Sequence, residues 1–207
     1  MGRRPTDNKE KLLNAAIDLI WQNSYGHVSV DQICAVAAVN KGSFYHYFSS
    51  KLELTLAALD HFYDNSTPVF NDIFKSEIPP IERFYNFIDT VHSIQTQTKL
   101  KYGHVCGCPF MTLGSEMAGQ ELTIHKKINT LIESHKKYYC DTIEDMILAD
   151  DIAQDTNAEE KATQLYAYIM GCVMTARIQN DLTSFKTNLE VGIFNILNIN
   201  FPTKKYA

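Results

Sequence analysis

The sequence predicts an all-α protein: an N-terminal helix-turn-helix domain joined to a larger helical domain. Three observations carry this. Apolar residues recur at intervals of three and four along the whole chain, with no strand-like alternation and no repeat. Helix-start signals crowd into residues 29–53. Polar, glycine or proline breaks near 65–68, 102–109, 119 and 150–157 separate the longer periodic segments. The expected division is a domain of residues 1–53 and a second of residues 54–207.

The first helix is expected to start near Asp7, with Asp7-x-x-Glu10 as its capping pair and Pro5 just outside. Leu13, Ala16, Ile17, Ile20 and Trp21 form its apolar stripe, and Gly26 ends it. Ser29-Val-Asp-Gln32 is an S-x-x-Q capping box opening a short helix, Val30 to Ala37. Ile33, Ala37 and either Val36 or Val30 share its inner side. A tight turn at Val39-Asn40 leads to Lys41-Gly42-Ser43, which opens a second short helix ending at Phe48. Ser50-Lys-Leu-Glu53 is a second box; its helix carries Leu52, Leu56, Leu59 and Phe62-Tyr63 and runs out by Asn65-Ser66-Thr67-Pro68.

Two short helices around a tight turn have the form of a helix-turn-helix. Phe44 and Phe48, four apart, anchor the second helix, so Lys41, Ser43, Tyr45, His46 and Tyr47 cannot all be buried beside them. Such a helix suits a DNA groove: hydroxyls meet phosphates, and Lys41 reaches a base edge or phosphate. Periodicity alone leaves open a helical hairpin whose tyrosines simply pack.

Read from Val30 to Leu54, the order V-x-x-I-x-x-x-A-x-V-x-K-G-S-F-Y-x-Y-F-x-S-K-x-x-L resembles the N-terminal domain of TetR-type transcriptional regulators. The most specific piece is Lys41 to Lys51. The resemblance covers residues 5–60 and only the helical layout beyond. It implies a homodimeric, ligand-responsive DNA-binding protein, a repressor on a palindromic operator, without enzymatic activity or cofactor. The DNA contacts expected are Arg3 and Arg4 in a basic arm, Ser29, Lys41, Gly42, Ser43, Tyr45, His46, Tyr47, and Lys51 on a phosphate. Ala38 departs from the family, which often has glycine in this turn; it implies slight strain or a turn without that need.

Net charge is −5 overall, but residues 1–54 carry six Lys or Arg against five Asp or Glu, and residues 55–207 thirteen against nineteen. A DNA-facing head on an acidic body fits that asymmetry. No apolar run is long enough to span a membrane, and no apolar segment follows Arg3-Arg4 as a secretion signal requires. Five scattered cysteines do not suggest a disulfide framework. A cytoplasmic protein is expected.

Beyond residue 54 every segment reads as helix. Pro79-Pro80 opens one with Ile81, Phe84, Phe87-Ile88, Val91 and Ile94; Pro109 opens another with Phe110, Met111, Leu113 and Met117. A long helix follows from Glu121 to about Leu148. Thr156-x-x-Glu159 caps the next, and the last runs from about Ser184 to Ile199. These last two are apolar over more than half their circumference, as helices buried on two sides are. Leu165, Ile169, Val173, Leu189, Ile193 and Ile196 are therefore expected at a dimer interface, which the resemblance also implies.

Enzyme signatures for phosphate loops, dinucleotide sites, zinc proteases and serine hydrolases are missing from the sequence. A helical enzyme or small-molecule carrier is the alternative reading. One cluster stands out: Tyr102-Gly-His104-Val-Cys106-Gly-Cys108-Pro109, followed by Phe110 and Met111. It is expected to form an effector or redox site. Cys108 at the N-cap of a helix would be activated as a thiolate, with Cys106 as its resolving partner. Metal binding by so tight an H-x-C-x-C is not expected.

Overall fold

The computed structural model describes residues 5–199, and side chains from Asn8 onward. Among these residues there are nine helices and no strand: α1 (Pro5–Gln22), α2 (Val30–Ala37), α3 (Lys41–Tyr47), α4 (Lys51–Ile73), α5 (Pro80–Tyr102), α6 (Pro109–Met117), α7 (Leu122–Leu148), α8 (Ala158–Gln179) and α9 (Phe185–Ile196). They form two compact units. One is the chain up to Pro68 together with Cys108–Leu131; the other is Val69–Gly107 together with the chain from Ile132 on.

In the first unit, α1 buries Leu13, Ala16, Ile17, Ile20 and Trp21, the stripe that periodicity picks out, and Leu12 beside it. It begins at Pro5, two residues earlier than expected, because proline is tolerated in a first turn, where no helical acceptor waits for its missing N–H. It ends at Gln22, well before Gly26. α2 buries Ile33, Cys34 and Ala37, while Val36 lies exposed. α6 joins this unit: Phe110 packs edge-on against Phe62 of α4, which packs edge-on against Trp21.

Helix α4 does not stop at residues 65–68. It runs through Pro68 to Ile73. The proline costs one backbone hydrogen bond, but the hydroxyls of Ser66 and Thr67 both donate to the Tyr63 carbonyl in the turn before it, at 2.8 and 2.9 Å. The division between the two units falls at this proline.

The second unit has an aromatic centre of Phe74, Phe84, Phe87 and Tyr139, with ring centroids 5.3 to 6.3 Å apart. Arg83, 3% exposed, pairs with Asp145 and donates to the carbonyls of Ile78 and Ser76, so its buried charge is hydrogen-bonded at several points. α8 starts one residue later than its sequence signal, on Asn157, whose side chain accepts from Glu160 N–H.

The structure corrects the expected dimer residues. Leu165, Ile169 and Val173 of α8 and Leu189 and Ile193 of α9 are buried within this single chain, and Ile196 is half-buried. The two helices pack on each other, so these stripes fill their own core. Tyr168 crosses α9 directly over Gly192, where any side chain would collide with its ring, and donates to the Asn188 carbonyl. What α8 leaves outward is a stripe of Gln164, Ala167, Gly171, Thr175 and Gln179, flanked by the half-buried Tyr168 and Cys172.

Ala38 ends α2 in the left-handed region, φ 53°, ψ 43°. Its Cβ is exposed and packs no core, so only the backbone cost counts. Ala38→Gly is expected to stabilise the protein by about 1 kcal/mol, read as a higher midpoint in urea with unchanged slope.

Candidate nucleic-acid interface

Ser29 closes the capping box of α2: its hydroxyl accepts from Gln32 N–H at 3.2 Å, and the Gln32 side chain accepts from Ser29 N–H at 2.8 Å. α3 starts on Asn40, whose side chain accepts from Ser43 N–H at 2.8 Å. Asparagine ahead of Lys41-Gly42-Ser43 is a recognisable N-cap, and the sequence reading had assigned it only to the turn. A Cβ at Gly42 would press on that cap at 3.3 Å from Asn40 Oδ1.

With α3 so started, its two faces separate. Phe44 and Phe48 are buried. Lys41, Gly42, Tyr45 and His46 are exposed, Tyr45 by 59%, and Ser43 and Tyr47 are half-buried. Phe44 braces Tyr45 edge-on at 5.0 Å, and His46 meets Tyr47 edge-on at 4.9 Å. Lys41 Nζ pairs with Asp31 of α2 at 2.6 Å; both side chains are largely exposed, and such a pair opens at little cost. The unit therefore presents a row of hydrogen-bonding side chains on a rigid, short helix. Arg3 and Arg4 lie outside the described residues.

Lys51 is placed differently from a free phosphate contact. Its ammonium donates to the carbonyls of Tyr25 at 2.8 Å and Val28 at 2.9 Å and lies 3.9 Å over the Tyr25 ring. Burial lowers its pKa, against the opposing pull of Glu116. The box at Ser50 is also modified: Ser50 accepts from Glu53 N–H, but Glu53 reaches back one residue further, to the N–H and hydroxyl of Ser49, which hold its carboxyl below the usual range.

The Tyr102–Cys108 cluster falls on both units, with Tyr102, His104 and Cys106 in the second and Cys108, Phe110 and Met111 in the first. Gly103 ends α5 at φ +80°, and the following turn is held from two helices. The buried Gln95 amide accepts from Gly107 N–H and donates to its carbonyl, both at 3.1 Å; Asn180 accepts from Val105 N–H at 2.9 Å, and Arg177 donates to the Cys106 carbonyl. Cys106 is wholly buried. Cys108 is the N-cap of α6, as expected, yet its sulfur makes no capping bond, and burial pushes the thiol up; the nearby N–H groups of Phe110 and Met111 act the other way and lose. Desolvation thus opposes the expected activation of this half-buried thiol. Among the described residues no group of three His, Cys, Asp or Glu is placed to hold a metal ion, and no helix is long and apolar enough to cross a membrane.

Residues 12–58 match the family model of bacterial regulatory proteins, tetR family, and residues 80–190 match that of the tetracyclin repressor-like C-terminal domain. An uncharacterized HTH-type transcriptional regulator in the lacX 3' region of Lactococcus lactis is 26% identical over 186 residues, 89% of this chain and 91% of its own. The HTH-type transcriptional repressor NemR of Escherichia coli is 27% identical over 114 residues, 54% of each chain. The fold is shared with a TetR-family regulator from Agrobacterium tumefaciens, at TM-score 0.80 and 18% identity over 94% of this chain and 98% of that one. It is shared too with the reduced form of E. coli NemR, at 0.75 and 21% over 93% and 96%. The two family models together account for most of the sequence, and the chain belongs to the tetR family of bacterial transcriptional regulators.

Proposed function

We propose that this regulator is a repressor that binds a palindromic operator as a homodimer and is released by a small-molecule effector. The observation that carries the reading is the divided surface of α3, with Phe44 and Phe48 buried and Lys41, Tyr45 and His46 outward beside an exposed helix start. In this reading α3 enters the major groove, and two copies span half-sites one turn apart, about 34–36 Å, or a multiple of it. The repressor title of NemR, over half of each chain, supports the sign of regulation.

Footprinting of the gene's own upstream DNA is expected to show two-fold symmetric protection; asymmetric protection would sink this docking. Lys41→Ala is expected to lower affinity and change the preferred sequence. Lys51→Ala is expected to lower affinity with an unchanged salt dependence, since its ammonium serves two carbonyls of its own chain; a slope shallower by about one unit would assign it to a phosphate instead.

The partner's place is the outward stripe of α8, where a groove of about 530 Å³ lies between Tyr168, Gly171, Cys172, Thr175, Ser184 and Asn188. A Cβ at Gly171 would meet nothing within 4 Å in the single chain. Gly171→Arg should therefore fold normally by circular dichroism and sediment as a monomer; an unchanged dimer would rule out this face.

The effector is proposed to act by binding one of two conformations preferentially. A thiol-reactive effector would meet Cys108 half-buried, with its thiol held above the usual range by desolvation. At pH 7 alkylation of Cys108 is expected to be slower than that of a free thiol, and peroxide to leave DNA affinity equal in wild type and Cys108→Ser. Loss of affinity in the wild type alone would make Cys108 the sensor.

A further inference from the structure

The loop from Asn23 to Ser29 leads from α1 into the reading pair α2 and α3, and its backbone is held by two charged side chains from distant sequence. Glu116 of α6 accepts from Tyr25 N–H and from Gly26 N–H, each at 2.7 Å, one on each carboxylate oxygen. Lys51 of α4 donates to the carbonyls of Tyr25 and Val28. Four backbone groups within four residues thus find partners in one acid and one base. Val28, beside them, is buried at 3% exposure, and the next residue, Ser29, is the N-cap of α2. The fit is close: a Cβ on Gly26 would come within 3.3 Å of Glu116 Oε1. A forked carboxylate gripping two adjacent N–H groups fixes direction as well as distance, and charge-assisted bonds of this kind are stronger than neutral ones.

We propose that Glu116 is a positioning residue for DNA binding: by holding the Tyr25–Gly26 backbone it sets where α2 starts and hence where α3 presents Lys41, Tyr45 and His46. The inference rests on the DNA-binding reading above and adds to it a residue of α6 that does not touch DNA.

The sign of the effect separates this role from simple electrostatics. Removing a carboxylate from the DNA-binding unit makes the protein less negative, which by charge alone favours binding to any duplex. Loss of positioning acts in the opposite direction and only at the cognate site. Glu116→Gln keeps the shape but places an amide NH2 against one of the two N–H donors, leaving that donor unpaired.

The test uses the full-length protein and a site that the wild type selects from random-sequence double-stranded DNA. Glu116→Gln is expected to bind the selected site about tenfold more weakly, ~1.4 kcal/mol, with the same salt dependence. Affinity for non-selected DNA should be equal to or above that of the wild type. Equal or tighter binding of the selected site by Glu116→Gln overturns the inference, as does an equal loss on both DNAs. Should Glu116→Gln prove unfolded at the assay temperature by circular dichroism, Glu116→Asp takes its place: it keeps the charge but is one methylene too short to keep both bonds. It is expected to lose selected-site affinity, and wild-type binding by it overturns the inference. A wild type that selects no site overturns the DNA-binding reading itself, whereas a selecting wild type with an unaffected variant overturns only the role of Glu116.

Discussion

Helix α3 is seven residues long, too short to persist on its own hydrogen bonds. It exists because Phe44 and Phe48 are buried and because Asn40 satisfies an N–H that the first turn leaves without a partner. That requirement fixes the rest of the helix: with one side committed to the core, the other side chains must point outward. The outward set is Lys41, Tyr45 and His46, with Ser43 and Tyr47 half-covered. The polar outward surface of α3 therefore follows from packing.

The same logic explains why Cys106 is buried in its glycine-containing turn. A turn with Gly103 and Gly107 both at positive φ exposes peptide groups that need partners once buried. Gln95, Asn180 and Arg177 supply them, and Cys106 is closed off as a consequence. Gly107 is confined further by Arg177, whose side chain stands 3.1 Å from where a Cβ would lie. A helix start can lower the pKa of a thiol only where the field of its N–H groups outweighs the cost of desolvating the anion. At Cys108 desolvation is the larger influence.

Much of the first unit was legible in the sequence because short-range rules govern it. The stripe of α1, the Ser29–Gln32 box and the anchoring phenylalanines depend on residues three or four apart. At Ala38 the sequence left two settings open, slight strain or a turn without need of positive φ, and the residue adopts positive φ. The α8 and α9 surfaces were not legible. When a helix is apolar nearly all round, periodicity cannot say which stripe meets its own chain, and here Leu165, Ile169, Val173, Leu189 and Ile193 turned inward while Ala167, Gly171 and Thr175 stayed out. Pro68 misled for a different reason: it signals a helix end, but it lies exposed and α4 runs on through it with one bond lost. Glu116 left no local trace, because the groups it binds are backbone N–H groups some ninety residues away.

The two units interleave along the chain, and this bears on how regulation can work. Residues 108–131 lie in sequence between segments of the second unit, yet they pack in the first unit with α1, α4 and the loop between α1 and α2 through Phe62, Phe110 and Trp21, through the Lys127–Asp60 pair and through Glu116. A perturbation anywhere from the N-cap of α6 to its last turn is therefore already a perturbation of the unit that holds α2 and α3. Helix α6 is nine residues long, with Cys108 at its N-cap and Glu116 in its final turn, so a rigid rotation of the helix moves both ends at once. Coupling of this kind needs no chain of intermediates: it requires only that an effector bind better to one setting of α6 than to another.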